Sequence, residues 1–533
     1  MLVTTATALF ASFVLSITAL FVFIWTLRRR GPQAGADAAL TIFADGEIGF
    51  GEDPAHPRGE HADPPANPAD LSLAWRLPQE VARRVAADRS SAAVVLLCLG
   101  SAVAWLLLAS AAGLFSSIKL HQPDLMAQAP WLGFGRIRTV HLNAVAYGWA
   151  PLAAFGVALW MLPRLAQTTL RGARYAAAGA LLWNLALAVG LTCIAAGVSD
   201  GLEWLEIPWP VDVLFVIAGA LVALPLFATL RARSTPHLYV SLWYMGAALC
   251  WFPLLFLVGN LPALQGGVAQ ATMNWWYGHN VLGLFYTPMA LAAIYYFLPK
   301  LIGQPIQSYD LSLLGFWTLA FFYGQVGGHH LIGGPVPGWL VTLSIVQSVM
   351  MLIPVAAFTL NQHLTLRGHG AALRRSPTLR FIVLGGAMYT LSSVQGAIEA
   401  LRSVNTVTHF THVTVAHAHL GLYGFFSMVM FGAIYFVMPR ATGRNWPYPW
   451  LIAAHFWLVV LGFAVYVVGL SIGGWLQGRA MLDAARPFMD SVDVTVPYLK
   501  ARSLGGALMT LGHLVFAAHF LAVAHAPARA KAA

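Results

Sequence analysis

The chain has 533 residues, of which 59% are hydrophobic and only 9% charged, with a formal net charge of +10 and a mean hydropathy of +0.69. A soluble protein of this length needs far more charge to cover its surface, so the composition excludes one and points to an all-α polytopic membrane protein lodged in a lipid bilayer. The positive balance is not a nucleic-acid footprint, because Lys and Arg gather in short loops as the positive-inside rule predicts.

Apolar stretches of about 20 residues suffice to cross a bilayer core of roughly 30 Å. Thirteen such spans fall near 7–27, 91–115, 140–162, 175–197, 211–230, 238–259, 278–298, 310–327, 338–360, 380–400, 414–438, 449–471 and 503–525. The first belongs to an N-terminal anchor helix over 1–30. Its charges (Arg28, Arg29, Arg30) follow the apolar run instead of preceding it, which argues against a cleaved signal peptide. Residues 31–90 form a polar connector rich in Pro, Asp and Glu, read as a partly disordered cytoplasmic loop. Within it FADGEIGFG (43–51) stands out as a segment that docks elsewhere. The twelve later spans make one bundle over 91–526, followed by a short cytoplasmic tail at 527–533, and no internal repeat is evident. Arg83, Arg84, Arg164, Arg171, Arg174, Arg231, Arg233, Lys300, Arg367, Arg374, Arg375, Arg440, Arg444 and Arg529 then share one side with Arg28 to Arg30. That side is expected to be cytoplasmic, with the N-terminus outside a bacterial inner membrane. Arg136, Arg138 and Arg402 depart from the pattern and lie beside histidines.

In this topology six histidines fall at one membrane level. His141 opens the third span, His279 opens the seventh, His329 and His330 lie where the eighth exits, and His417 and His419 sit in the first turns of the eleventh. Ionisable residues at membrane depth are functional candidates, and neutral imidazole is the commonest ligand for transition metals and haem iron. Residues two apart on a helix point about 200° apart, so His417 and His419 face opposite sides. Adjacent His329 and His330 converge on one metal only where the backbone turns irregular, as Gly327, Gly328, Gly333, Gly334 and Pro335 suggest. The six suffice for a six-coordinate haem, a five-coordinate haem and a three-histidine copper. His363, His369, His513, His519 and His525 carry no functional expectation. Cys98, Cys193 and Cys250 form no CxxC pair, so a disulfide framework, a zinc site and covalent haem attachment are unsupported.

GRIRTVHLNA (135–144), EWLEIPWPVDVL (203–214), PHLYVSLWY (236–244), WWYGHN (275–280), YYFLPK (295–300), SYDLSLLGFWTLAFFYGQVGGHHL (308–331) and SVNTVTHFTHVTVAHAHLG (403–421) together resemble the catalytic subunit of haem-copper oxidases, specifically the C-family or cbb3-type cytochrome c oxidases. The resemblance covers about residues 90–525. It implies a twelve-helix catalytic bundle, here with one extra N-terminal helix. His141 and His419 become axial ligands of a low-spin haem b, His417 the ligand of a high-spin haem b, and His279, His329 and His330 the copper (CuB) ligands. Tyr323 takes the place of the tyrosine cross-linked to the copper ligand, here His279. Arg136, Arg138 and His409 would contact haem propionates. Glu203 and Glu206 resemble a calcium site, carboxylates suiting a hard cation. Tyr295, Tyr296, Ser308, Tyr309, Ser312 and Thr318 resemble the single K-type proton path, and no membrane-embedded Glu or Asp suggests a second. The expected activity is reduction of O2 to water coupled to proton translocation, with electrons from a membrane-anchored cytochrome c subunit on the outer face.

Some residues depart from the family pattern. Gln395 stands where cbb3-type enzymes usually carry a glutamate, and Gln325 and Gly328 replace the usual Trp and Pro. AHAHLGLYGFFSMVMFGAIYFVMPR (416–440) is as similar to nitric oxide reductases, which use non-haem iron and extra glutamates. Three imidazoles and Tyr323 favour copper and O2 over iron and NO. A non-catalytic haem-binding protein would need neither the copper set nor Tyr323.

Overall fold

A computed structural model describes residues 34–43, 47–49, 51, 77–261 and 266–526, with a few isolated positions before residue 34. The anchor helix read over 1–30, most of the connector and the tail at 527–533 therefore lie outside the described residues. Eleven helices among the described residues are long and apolar enough to cross a membrane. In chain order the bundle comprises α1 (Leu77–Lys119), α2 (Phe134–Leu165), α3 (Ala173–Ala196), α4 (Trp209–Arg231), α5 (Val240–Gly259), α6 (Gly267–Ile302), α7 (Tyr309–Phe322), α8 (Gly338–Leu366), α9 (Pro377–Glu399), α10 (His412–Thr442), α11 (Trp450–Met481) and α12 (Val496–His525). The α7 helix is short because it tightens into a 3₁₀ segment over Tyr323–Leu331, and the two together make the twelfth crossing.

Helices satisfy their own backbone, which hydrocarbon requires, and the sequence marks their ends. Ser308, Ser376 and Thr411 cap α7, α9 and α10 by accepting from the amides of Leu311, Leu379 and Val413. Gly303 and Gly443 end α6 and α10 at φ of 71° and 66°. Between α11 and α12 the closest approach is at Gly462 and Gly505, where a side chain on either would run into the other's carbonyl. Three helices are central: 94% of the membrane window of α2 and 89% of those of α6 and α10 are buried, against half or less for the others. Those three carry His141, His279, His417 and His419.

The α1 helix begins at Leu77, inside the stretch read as connector, because LPQEVARRVAADRS is built of strong helix formers whose charge hides them from hydropathy. Two of its charges are paired: Asp88 meets Arg164 at 3.0 Å, and Arg84 meets Glu47. Glu47, with Phe43, Gly49 and Gly51 of the 43–51 segment, docks on the basic end of the bundle. Its carboxylate also takes Lys300 of α6 at 2.6 Å. The Phe43 ring lies 4.9 Å from Lys300 Nζ, and the Gly49 amide donates to Gly303 O at 2.7 Å. Burial alone would raise the Glu47 carboxyl, but Lys300 and Arg84 outweigh it and hold it at about 2. A folded-state value below the unfolded 4.5 means that this contact stabilises fully above pH 4.5 and fades as pH falls toward 2. Glu47→Ala should therefore speed limited proteolysis between residues 43 and 51 several-fold at pH 7, while the unmodified protein stays resistant down to about pH 5; equal cleavage of both at pH 7 would refute the docking role.

Candidate functional site

The six histidines line one cavity of about 420 Å³, together with Tyr323. Three of the helices that supply them widen into π-helical turns immediately beyond the histidines: Ala144–Trp149 in α2, Leu282–Tyr286 in α6 and Leu420–Ser427 in α10. Such a turn leaves carbonyls short of their usual partner. Side chains supply the missing donors, with Tyr286 Oη on Ala146 O, Trp183 Nε1 on Tyr147 O at 2.6 Å and Ser427 Oγ on Leu422 O at 2.9 Å. Aromatic and hydroxyl groups behind the site thus hold open the wide turns that aim the histidines.

His141 and His419 face one another with ring centroids 6.5 Å apart and planes within 10°. Each directs Nδ1 at a backbone carbonyl, His141 at Ala109 O (2.7 Å) and His419 at Val415 O (2.8 Å). A carbonyl only accepts, so the proton sits on Nδ1 and Nε2 presents its lone pair. Imidazole nitrogen binds metals at roughly 2 Å, so the gap suits one ion between the rings. Gly113 leaves the seat for His141, since a Cβ there would lie 2.6 Å from its ring. His417 rests against α9, where a Cβ at Gly396 would lie 2.8 Å from it, and its Nδ1 is buried without a hydrogen-bond partner.

The third set is compact. Ligand atoms of His279, His329 and His330 lie within 4.8 Å of one another, the one such trio of metal-binding side chains among the described residues. In a 3₁₀ segment residues three apart eclipse, so Tyr323 and His329, two turns apart, share a face toward α6. Tyr323 lies 5.1 Å from the His279 ring, in a space that a side chain at Gly283 would fill. Trp275 stacks on His330 at 4.1 Å. Ser348 Oγ lies 2.9 Å from His329 Nδ1 and donates to Ser344 O at 2.7 Å, so it accepts the histidine's proton and frees Nε2. Buried His279 Nδ1 has no partner. Unpaired imidazole nitrogens buried at membrane depth are costly unless a metal takes them; the donor set fits metal centres.

The other expected residues divide. Arg138 lines the cavity and pairs with Glu203 at 2.9 Å. Arg136 turns away to Ala195 O. His409 stacks on Phe410 outside the lining, with burial lowering its basicity. Glu206 is buried and accepts from Asn143 at 3.0 Å, and its burial pushes its carboxyl up to about 7. Ser312 and Thr318 donate to their own helix, at Tyr309 O and Leu314 O, and Ser308 is a helix cap. Tyr309 donates to Leu238 O, while Tyr295 stacks on Tyr244 at 5.7 Å. Tyr296 borders Arg84 and Arg164 at the basic end.

Sequence reading passed over several residues. Arg502 reaches Tyr466 Oη at 3.1 Å, which itself stands 3.1 Å from His419 Nε2. Tyr389 lines the cavity, as does His412, which the sequence already set near the histidine cluster with His409 as a candidate partner for haem propionates. Contrary to the expectation of no relevant membrane-embedded acid, Glu399 ends α9 one turn beyond Gln395, is bonded to it, and keeps one oxygen buried and unpartnered. Its place one turn along the helix from Gln395 was the available signal. His513 and His519, expected to lack partners, are buried and hydrogen-bonded.

Eleven candidate membrane spans among the described residues, around a cavity that gathers the six histidines, define a multi-span membrane protein with a candidate metal centre. The chain belongs to the Cytochrome C and Quinol oxidase polypeptide I family, whose model matches residues 93–508. It is 34% identical over 431 residues to cbb3-type cytochrome c oxidase subunit CcoN1 of Stutzerimonas stutzeri, covering 78% of this chain and 91% of that one. It is 32% identical to a bacteroid cytochrome c oxidase subunit 1 homologue of Bradyrhizobium diazoefficiens, over 76% of this chain and 77% of the relative. A nitric oxide reductase subunit of Stutzerimonas stutzeri is more distant, at 25% identity over 72% of this chain and 85% of that one. The fold matches a haem-copper terminal oxidase dimer solved by cryo-electron microscopy with a TM-score of 0.66 at 16% identity, over 83% of this chain and 86% of the other.

Ser348→Ala should weaken metal binding by the His279 trio roughly ten- to hundred-fold, read by metal titration of the purified protein; unchanged affinity would show that Ser348 does not orient His329.

Proposed function

We infer that the chain is the catalytic subunit of a cbb3-type terminal oxidase, taking electrons from cytochrome c and reducing O2 to water in the bacterial cytoplasmic membrane, coupled to proton translocation. The observation that carries this reading is Tyr323 beside His279 of the three-histidine set. His141 and His419 would hold a low-spin haem b, His417 a high-spin haem b, and His279, His329 and His330 a copper. When bound, these groups supply O2 binding and electron transfer.

The protein's own groups do the rest. Tyr323 stands where its phenol can give up an electron and a proton together, and the Gly283 gap keeps its ring against His279. Arg138, Arg502 and His412 line the cavity as partners for haem carboxylates, with Arg136 and His409 further out. Glu203 and Glu206 supply oxygen donors for a calcium, whose charge would offset the burial of Glu206. Protons would enter at the basic end by Tyr296 and Tyr295 and pass Tyr244 and Tyr389 toward Tyr323; Ser308, Tyr309, Ser312 and Thr318 flank this column. The basic loops and the positive-inside rule support a cytoplasmic basic end and an outside N-terminus. A membrane-anchored cytochrome c subunit would then dock at the histidine end.

Nitric oxide reduction is the second reading, favoured by buried Glu399 beside Gln395. Purified complex should contain one copper per two b-type haems and show cyanide-sensitive O2 uptake; non-haem iron in place of copper, with N2O formed from NO, would overturn the oxygen reading. His417→Ala should abolish the high-spin haem signal and spare the low-spin one, and Gly113→Ala should do the reverse by displacing His141. Absorption spectra of the reduced complex check both.

A further inference from the structure

Many hydroxyls in this bundle turn back on their own helix: Ser110, Ser116, Ser312 and Thr318 donate to the carbonyls of Leu106, Gly113, Tyr309 and Leu314. Two at the histidine end bond to each other instead. Ser117 lies in the last turn of α1 and Ser503 in the second turn of α12, with 2% and 9% of their surfaces exposed, and their Oγ atoms meet at 2.8 Å. Ser503 Oγ also meets His121 Nε2 at 2.9 Å. His121 stands two residues beyond α1, where its amide donates to Ile118 O at 3.1 Å, and its ring is partly exposed. At the opposite end of the trio Ser117 lines the six-histidine cavity, together with Arg138, Arg502 and His412. A continuous hydrogen-bonded link thus runs from the cavity wall to the surface of the bundle.

The protons in this link have two consistent orders. Each serine has one proton to give, so either Ser117 donates to Ser503 and Ser503 to His121 Nε2, or His121 Nε2–H donates to Ser503 and Ser503 to Ser117. Both orders keep both bonds, and they exchange by rotation of two hydroxyls and a change of imidazole tautomer. A tie between α1 and α12 needs only the serine pair. A histidine at its outer end adds a group that accepts at one nitrogen and releases from the other near neutral pH. His121 is also poorly suited to keep a proton. Partial burial and then Lys500 lower its basicity. Its Nδ1 is enclosed without a partner, and an imidazolium needs an acceptor at both nitrogens.

We propose that Ser117, Ser503 and His121 form the exit by which protons leave the cavity at the histidine end of the bundle. A proton arriving from the cavity bonds to Ser117 Oγ as the Ser117 proton passes to Ser503 Oγ and the Ser503 proton to His121 Nε2. The imidazolium then gives its Nδ1 proton to solvent as its partly exposed ring turns outward, and the hydroxyls and the tautomer return to their first order. One proton enters and one leaves, and no group is oxidised or reduced. The link serves release, and uptake from the basic end is a separate matter. The proposal rests on the reading of the chain as a proton-translocating reductase.

The test uses the complete oxidase complex in proteoliposomes, with reduced cytochrome c added outside, and measures protons released outside per electron consumed. His121→Gln keeps an acceptor for Ser503 but cannot take up and pass on a proton, and Ser503→Ala removes both bonds of the link. Both should retain haem spectra and turnover in uncoupled vesicles within about two-fold, while protons released per electron fall by about half or more. Release equal to that of the unmodified complex in both variants would overturn the exit. So would a defect in only one of them, since the three groups act in series. If Ser503→Ala loses its haem spectra, Ser117→Ala takes its place. An unmodified complex that consumes electrons and releases no protons would overturn the translocation reading itself, so the two failures are read from different samples.

Discussion

A bilayer leaves a buried nitrogen with no water to turn to, and that constraint organises this molecule. Six imidazoles are enclosed at one end of the bundle, and the hydrogen bonds that fix them use their other nitrogens. His141, His419 and His329 are each tied through Nδ1, to Ala109 O, Val415 O and Ser348. His419 also meets Tyr466 Oη at 3.1 Å through Nε2, while Nδ1 of His279 and of His417 has no partner. The wide turns in α2, α6 and α10, the side chains that complete them and the missing side chains at Gly113, Gly283 and Gly396 together seat the histidines and Tyr323 around one cavity.

The same constraint explains how burial is distributed. The helices that bring histidines are the most enclosed, while those around them turn half or more of their membrane windows to lipid. Charges are treated alike: Arg84, Lys300 and Glu47 gather at the basic end, where the 43–51 segment ties α1 to α6. This places Phe43, Glu47 and Gly49 of the connector at the other end of α6 from His279, so residues remote in sequence from the histidines tie the far end of the helix that carries one of them.

Much of the site was legible in the chain. Hydropathy separated the crossings, and helical phase put His417 and His419 on opposite sides from their spacing alone. Gly327 and Gly328 announced the irregular backbone that lets His329 and His330 converge. The short offset from Tyr323 to His329 gained its meaning from the 3₁₀ geometry, since in an α-helix the two would diverge. By contrast, Arg502 and Tyr466 carry no local signature that singles them out, because what each does depends on the residues that packing sets beside it.

Composition, hydropathy and the register of histidines were enough to determine a helical membrane protein with six metal-ligand candidates at one level, because bilayer thickness and helix periodicity are properties of short stretches of chain. Which nitrogen of each ring is free, which glycine seats it and which distant residues enclose it were decided by the tertiary structure. So was the anchoring of Glu47, since it depends on contacts between residues dozens to hundreds of positions apart that only packing brings within hydrogen-bond reach.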